Sequence, residues 1–154
     1  MTYLDKIKKE NLNLFQIQKD LKQMLESKTW TSAFCHCEKD LMRNYTESLS
    51  RLKRRVNLSE IGYMSSVYSE DLALVLIKSC LEDNISHVAK FLLSEDTSME
   101  LMGMMLDGPV GYIVNKDKSV EEVSSIIISI RKNDKPCQNS SGFFIDYIYP
   151  INLS

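Results

Sequence analysis

Apolar residues recur at helical spacing through about the first 95 residues and at strand spacing after that. In residues 1–27, Leu14, Ile17, Leu21 and Leu25 fall on one helical face, Thr2 is a suitable cap, and no Gly or Pro interrupts. One helix is predicted there. Residues 28–45 are less periodic, and the Trp-, Phe- and Cys-rich part from Thr29 to Cys37 fits a short helix or a loop. Leu49, Leu52 and Val56 give residues 46–57 a third helical pattern, which Gly62 ends. Ser69 caps a fourth, with Glu70 and Asp71 at the positive end of the helix dipole and Leu72, Leu76, Ile77 and Cys80 as its buried stripe. Asn84 divides that region from a further helix carrying Ile85, Val88, Phe91 and Leu92.

After Asp96 the period shortens to two. Strands are predicted over residues 100–106, 111–115, 123–131 and 142–149, with turns at Asp107-Gly108 and in residues 132–141. In the third strand Ile126, Ile128 and Ile130 share a face, and simple alternation in the last puts Phe143, Ile145, Tyr147 and Tyr149 on one face. The fold class is α+β, with N-terminal helices packed on a C-terminal antiparallel sheet. With 154 residues and no repeat or linker, a single domain is expected. Its parts are a helical extension (1–45), a helical half (46–95) and a β half (96–154).

Composition narrows the chemistry. The chain is 44% hydrophobic and 26% charged, and a chain of this length can hold a core without disulfides or metals. Its four cysteines, Cys35, Cys37, Cys80 and Cys137, are read as reduced thiols, with disulfides as the alternative. The charged N-terminus lacks the apolar core of a signal peptide, and no apolar run approaches a membrane span, so no membrane insertion is expected. Residues 1–60 carry 12 Lys/Arg and 8 Asp/Glu, net +4, whereas residues 61–154 carry 7 and 13, net −6. The basic half is milder than a typical nucleic-acid footprint.

Phosphate-binding glycine loops and the G-x-S-x-G elbow are absent from the sequence, which argues against kinase, Rossmann and α/β-hydrolase chemistry. Cys35-His36-Cys37 lacks the spacing and fourth ligand of a structural zinc site, so no metal or cofactor is expected. The two histidines are His36, beside a basic stretch, and His87, inside a helix. Metal-free RNA cleavage needs a base for the 2′-hydroxyl, an acid for the leaving 5′-oxygen and a cation for the phosphorane. Histidine suits proton transfer near neutral pH, and the arginine fork suits phosphate oxygens.

From about Asp40 to Pro150 the order of short motifs resembles the ribonuclease A-like toxin domains at the C-termini of bacterial contact-dependent growth inhibition proteins. Leu49-Ser50-Arg51-Leu52 resembles their arginine helix, and Ser65-Ser66-Val67-Tyr68-Ser69-Glu70-Asp71-Leu72-Ala73 their turn into a long helix. Asn84, followed by Val88 to Leu92, is similar to their W-L helix, with Phe91 in the tryptophan's place. Pro109-Val110-Gly111 resembles the V-G strand start, and Gly142 to Pro150 the closing strand. The resemblance implies a ribonuclease A-like fold and a catalytic set drawn from His36, Asp40, Arg51, Tyr147 and Tyr149. Arg51 and Tyr149 match the pattern. Asp40 occupies the histidine position, with His36 four residues earlier, and Tyr147 replaces a threonine.

The activity implied is a metal-free endoribonuclease toxin. Its partners would be RNA, tRNA included, and a cognate immunity protein, and it would act in the cytoplasm or be delivered to that of a target cell. The competing reading is a non-catalytic relative or immunity protein that binds a toxin. The acidic pI of about 5.7 and the displaced histidine favour this second reading, whereas the retained Arg51 and the terminal Tyr149-Pro150 favour the ribonuclease, which the family resemblance as a whole supports.

Overall fold

The computed structural model describes residues 2–34, 48–104, 108–133 and 141–152. The first helical stretch is two helices, α1 (Tyr3–Lys9) and α2 (Leu14–Glu26), where one was expected. Asn11 adopts a left-handed conformation with φ of 50°, which asparagine tolerates better than most residues. Asn13 then restarts the chain with a capping box, accepting from the Gln16 amide at 2.9 Å while the Gln16 side chain returns to the Asn13 amide. The Tyr3 hydroxyl donates to Asp20 at 2.8 Å, pinning α1 to α2. A short helix α3 (Trp30–Phe34) follows.

Helix α4 (Leu49–Arg55) starts at Ser48 and ends in a 3-10 turn, Val56–Leu58. Next comes a strand absent from the sequence reading, β1 (Tyr63–Val67), so the helical part of the chain is interrupted. Helices α5 (Glu70–Asp83) and α6 (Ile85–Leu93) meet at Asn84, as periodicity predicts, and Ser69 caps α5 by accepting from the Leu72 amide at 3.1 Å. Cys80 is free and buried in α5, and burial first, then Asp83, pushes its thiol up to about 11.

The remaining strands are β2 (Ser98–Met104), β3 (Gly111–Asn115), β4 (Val120–Val123), β5 (Ser125–Lys132) and β6 (Phe143–Ile151). They form two antiparallel three-stranded sheets, β1-β3-β4 and β2-β5-β6, in place of the one sheet expected. The α+β class holds. Ile126, Ile128 and Ile130 of β5 are buried as alternation requires, and they share one apolar cluster with Ile17, Leu21, Leu25, Phe34, Ile77, Leu81, Val88 and Phe143. The Phe34 and Phe143 rings lie 5.2 Å apart. The N-terminal helices are therefore part of the core that covers the β2-β5-β6 sheet.

The facing of β6 departs from simple alternation. Ile130 pairs with Ile145 and Ser129 with Tyr147, so Asp146 is an extra residue, a β-bulge. Phe143 and Ile145 before it, and Ile148 and Pro150 after it, are buried. Tyr147 and Tyr149 are turned to the opposite face, half-buried, so the expectation that they share a face with Phe143 and Ile145 is corrected. Arg131, 3.5 Å from the Asp146 carboxylate, braces the bulge.

The two sheets meet where β6 approaches β1 and β3. Gly111 permits this approach. A Cβ there would lie 2.3 Å from the Ser66 carbonyl oxygen and 2.8 Å from the Pro150 ring. The backbone oxygen has no rotamer with which to yield. Gly111→Ala is expected to destabilise the fold by about 1–3 kcal/mol, the usual cost of overpacking, read as a lower denaturant midpoint at unchanged slope.

Candidate functional site

Helix α4 brings a cationic stretch to the sheet junction. Its Leu52, together with Val56, packs on Val114 beside Met64 and Tyr112, which fixes the helix against β1 and β3. With Leu52 turned inward, Arg51, Arg54 and Arg55 are exposed and Lys53 is half-exposed. Lys118 donates to the Lys53 carbonyl at 2.5 Å, tying the last turn of the helix to the β3–β4 connection.

Beyond α4 the chain turns back through Ser59, whose hydroxyl donates to the Tyr63 carbonyl at 2.7 Å. The result is a cleft of about 460 Å³ lined by Arg55, Leu58, Ser59, Ile61, Tyr63, Met64, Ser65 and Tyr149. It brings together the end of α4, strand β1 and the closing strand β6. Leu58 and Ile61 are 82% and 69% exposed, large values for apolar side chains. On the other side of Tyr63 and Tyr149 lies a second cleft of about 420 Å³, which also includes Ile113, Asn115, Glu121, Ile127, Ile151 and Asn152.

The two tyrosines of β6 act as a pair. Their rings stack with centroids 5.4 Å apart. The Tyr147 hydroxyl donates to Glu100 at 3.0 Å. Burial raises the Tyr149 phenol above its ordinary range, and the charge of Glu100 and the nearby Tyr147 and Tyr63 add to this. Tyr149 is therefore a neutral hydrogen-bond donor around pH 7.

Of the residues singled out from sequence, Tyr147 and Tyr149 are side by side, and Tyr149 lines the larger cleft with Arg55. Arg51 stands one turn before Arg55 on α4, exposed and outside the cleft lining. His36 and Asp40 lie outside the described residues, as do Cys35, Cys37 and Cys137. His87 is exposed on α6. Among the described residues no group of three or more His, Cys, Asp or Glu is arranged to hold a metal ion. None of the described helices is long and apolar enough to cross a membrane.

Sequence reasoning does not identify Tyr63, Ser65 or Glu100 as site residues. Tyr63 and Ser65 belong to the strand that periodicity missed. Glu100 acquires its meaning from strand register, which puts Glu100, Ser129 and Tyr147 in one row across β2, β5 and β6.

No family model matches the chain, and no curated protein matches it. Among solved structures, the crystal structure of a CdiA-CT/CdiI complex from Y. kristensenii contains a chain that superposes with a TM-score of 0.63 at 20% sequence identity. The match covers 73% of this chain and 98% of that one. The α+β fold described above is thus the fold of a chain in that complex, extended here by residues that have no counterpart in it.

Proposed function

We propose that this protein belongs to a toxin–immunity system of the contact-dependent growth inhibition type and acts there as a metal-free ribonuclease. The carrying observation is the cleft in which Arg55, at the end of the cationic helix, and Tyr149, on the closing strand, line one space. The shared fold with a CdiA-CT/CdiI component supports the system, and the motif resemblance supports the activity.

The chemistry assigned is transesterification. His36 takes the proton of the 2′-hydroxyl, the freed oxygen attacks phosphorus, and the 5′-oxygen leaves with a proton from a neutral donor such as the Tyr149 phenol. Arg51 and Arg55 stabilise the charge on the phosphorane. The products are a 2′,3′-cyclic phosphate and a free 5′-hydroxyl.

Purified protein incubated with total RNA in EDTA is expected to cleave it, leaving 2′,3′-cyclic phosphate ends. The end chemistry is read by comparing phosphatase sensitivity before and after acid opening of the ring. Intact RNA at stoichiometric protein would defeat the ribonuclease reading. It would move the assignment to the second one, a non-catalytic partner of a toxin. The exposed Leu58 and Ile61 at the cleft rim favour that second reading, because apolar side chains so placed suit a protein surface.

A further inference from the structure

We propose that Glu100 is a positioning residue of the cleft, holding the Tyr147–Tyr149 pair in place across the small side chain of Ser129. This inference rests on the ribonuclease reading and adds a residue to it.

Glu100, Ser129 and Tyr147 occupy adjacent register positions on three neighbouring strands. The outer strands of such a trio are roughly 9.6 Å apart, twice the strand spacing. A tyrosine and a glutamate span that gap if the residue between them is small. Ser129 is 4% exposed, covered on this face, and the Tyr147 hydroxyl reaches Glu100 at 3.0 Å. The Tyr147 ring in turn stacks on Tyr149, which forms a wall of both clefts. The bulge at Asp146 turns the two tyrosines to this face, and the Glu100 carboxylate then fixes one of them. A hydrogen bond to an ionised carboxylate is among the stronger kinds, and a stacked neighbour is immobilised with it.

Glu100 is exposed, so its substitution should leave folding intact, and an unchanged thermal midpoint checks this. In the full chain, Glu100→Ala and Tyr147→Phe should each lower kcat roughly tenfold with KM little changed, the scale of one charge-assisted hydrogen bond. The double substitution should be no worse than either single one, because both remove the same contact. Glu100→Gln keeps an acceptor and should recover most of the loss. A wild-type kcat in Glu100→Ala, or additive losses in the double variant, would overturn the proposal while leaving the ribonuclease reading intact.

If the wild-type protein cleaves no RNA, that reading fails and tyrosinate absorbance decides the positioning role separately. Subtracting the Tyr149→Phe titration isolates the Tyr149 phenol. In Glu100→Ala it should ionise at lower pH than in the wild type, since a neighbouring negative charge has gone. An unmoved titration would overturn the proposal by itself.

Discussion

Removing residues 1–34 should abolish cooperative folding. Ile17, Leu21, Leu25 and Phe34 are each at most 2% exposed, and they sit in the same cluster as the β-sheet residues Ile128, Ile130 and Phe143. Leu21, Leu25 and Phe34 close directly on Leu81, Ile85, Val88 and Phe143. Fully burying one such side chain contributes about 1.5–3 kcal/mol, so these four contribute about 6–12 kcal/mol. A domain has about 5–15 kcal/mol in total. The truncation also removes the Ala33 carbonyl that accepts from the buried Ser141 hydroxyl at 2.5 Å. The truncated chain should show no sigmoidal thermal transition by circular dichroism and should bind a hydrophobic dye. A cooperative melt in the truncated chain would show that α1–α3 are an appendage rather than part of the folding unit. The result matters because 73% of this chain accounts for 98% of the structural neighbour, so a shorter chain can adopt the shared fold.

The helices were legible because their apolar stripes are long and their caps are local. Ser69 with Glu70 and Asp71, and the Asn84 junction, are each decided within four or five residues. The break between α1 and α2 contains neither Gly nor Pro, so periodicity runs through it, although Asn13 and Gln16 have capping-box spacing. Strand β1 was missed for a different reason. Met64-Ser65-Ser66-Val67 has weak strand character of its own, and it is a strand because β3, more than forty residues later, supplies its hydrogen bonds. The bulge at Asp146 has no local signature. One inserted residue exchanged the faces of everything after it, and so moved Tyr147 and Tyr149 from the expected core face to the cleft face. The candidate site shares this limit. Arg51, Tyr147 and Tyr149 were suggested by the order of motifs, whereas Tyr63, Ser65 and Glu100 join them through pairings that connect distant parts of the chain.

His36→Ala should abolish RNA cleavage, whereas Asp40→Asn should spare it. The argument is one of proton affinity. An aspartate with a reference pKa near 3.9 is ionised at pH 7 but is a weak base, and its charge repels the phosphate, whereas a histidine near 6.5 is half-ready both to take and to return a proton. Arg51→Ala should lower kcat by roughly 10²–10³, the loss seen when one donor to a developing oxyanion is removed. Arg55 is the arginine of this helix that lines the cleft with Tyr149, so Arg55→Ala should lower kcat as well, and Arg55→Lys, which keeps the charge but not the fork, should restore it in part. Charge neutralisation at either position should also flatten the salt dependence of RNA binding. The measurement is single-turnover cleavage of one labelled RNA across pH and salt. Full activity in His36→Ala would transfer the base role elsewhere. Loss of activity in Arg55→Ala but not in Arg51→Ala would mean that the cleft, rather than the motif resemblance, identifies the phosphate-binding arginine.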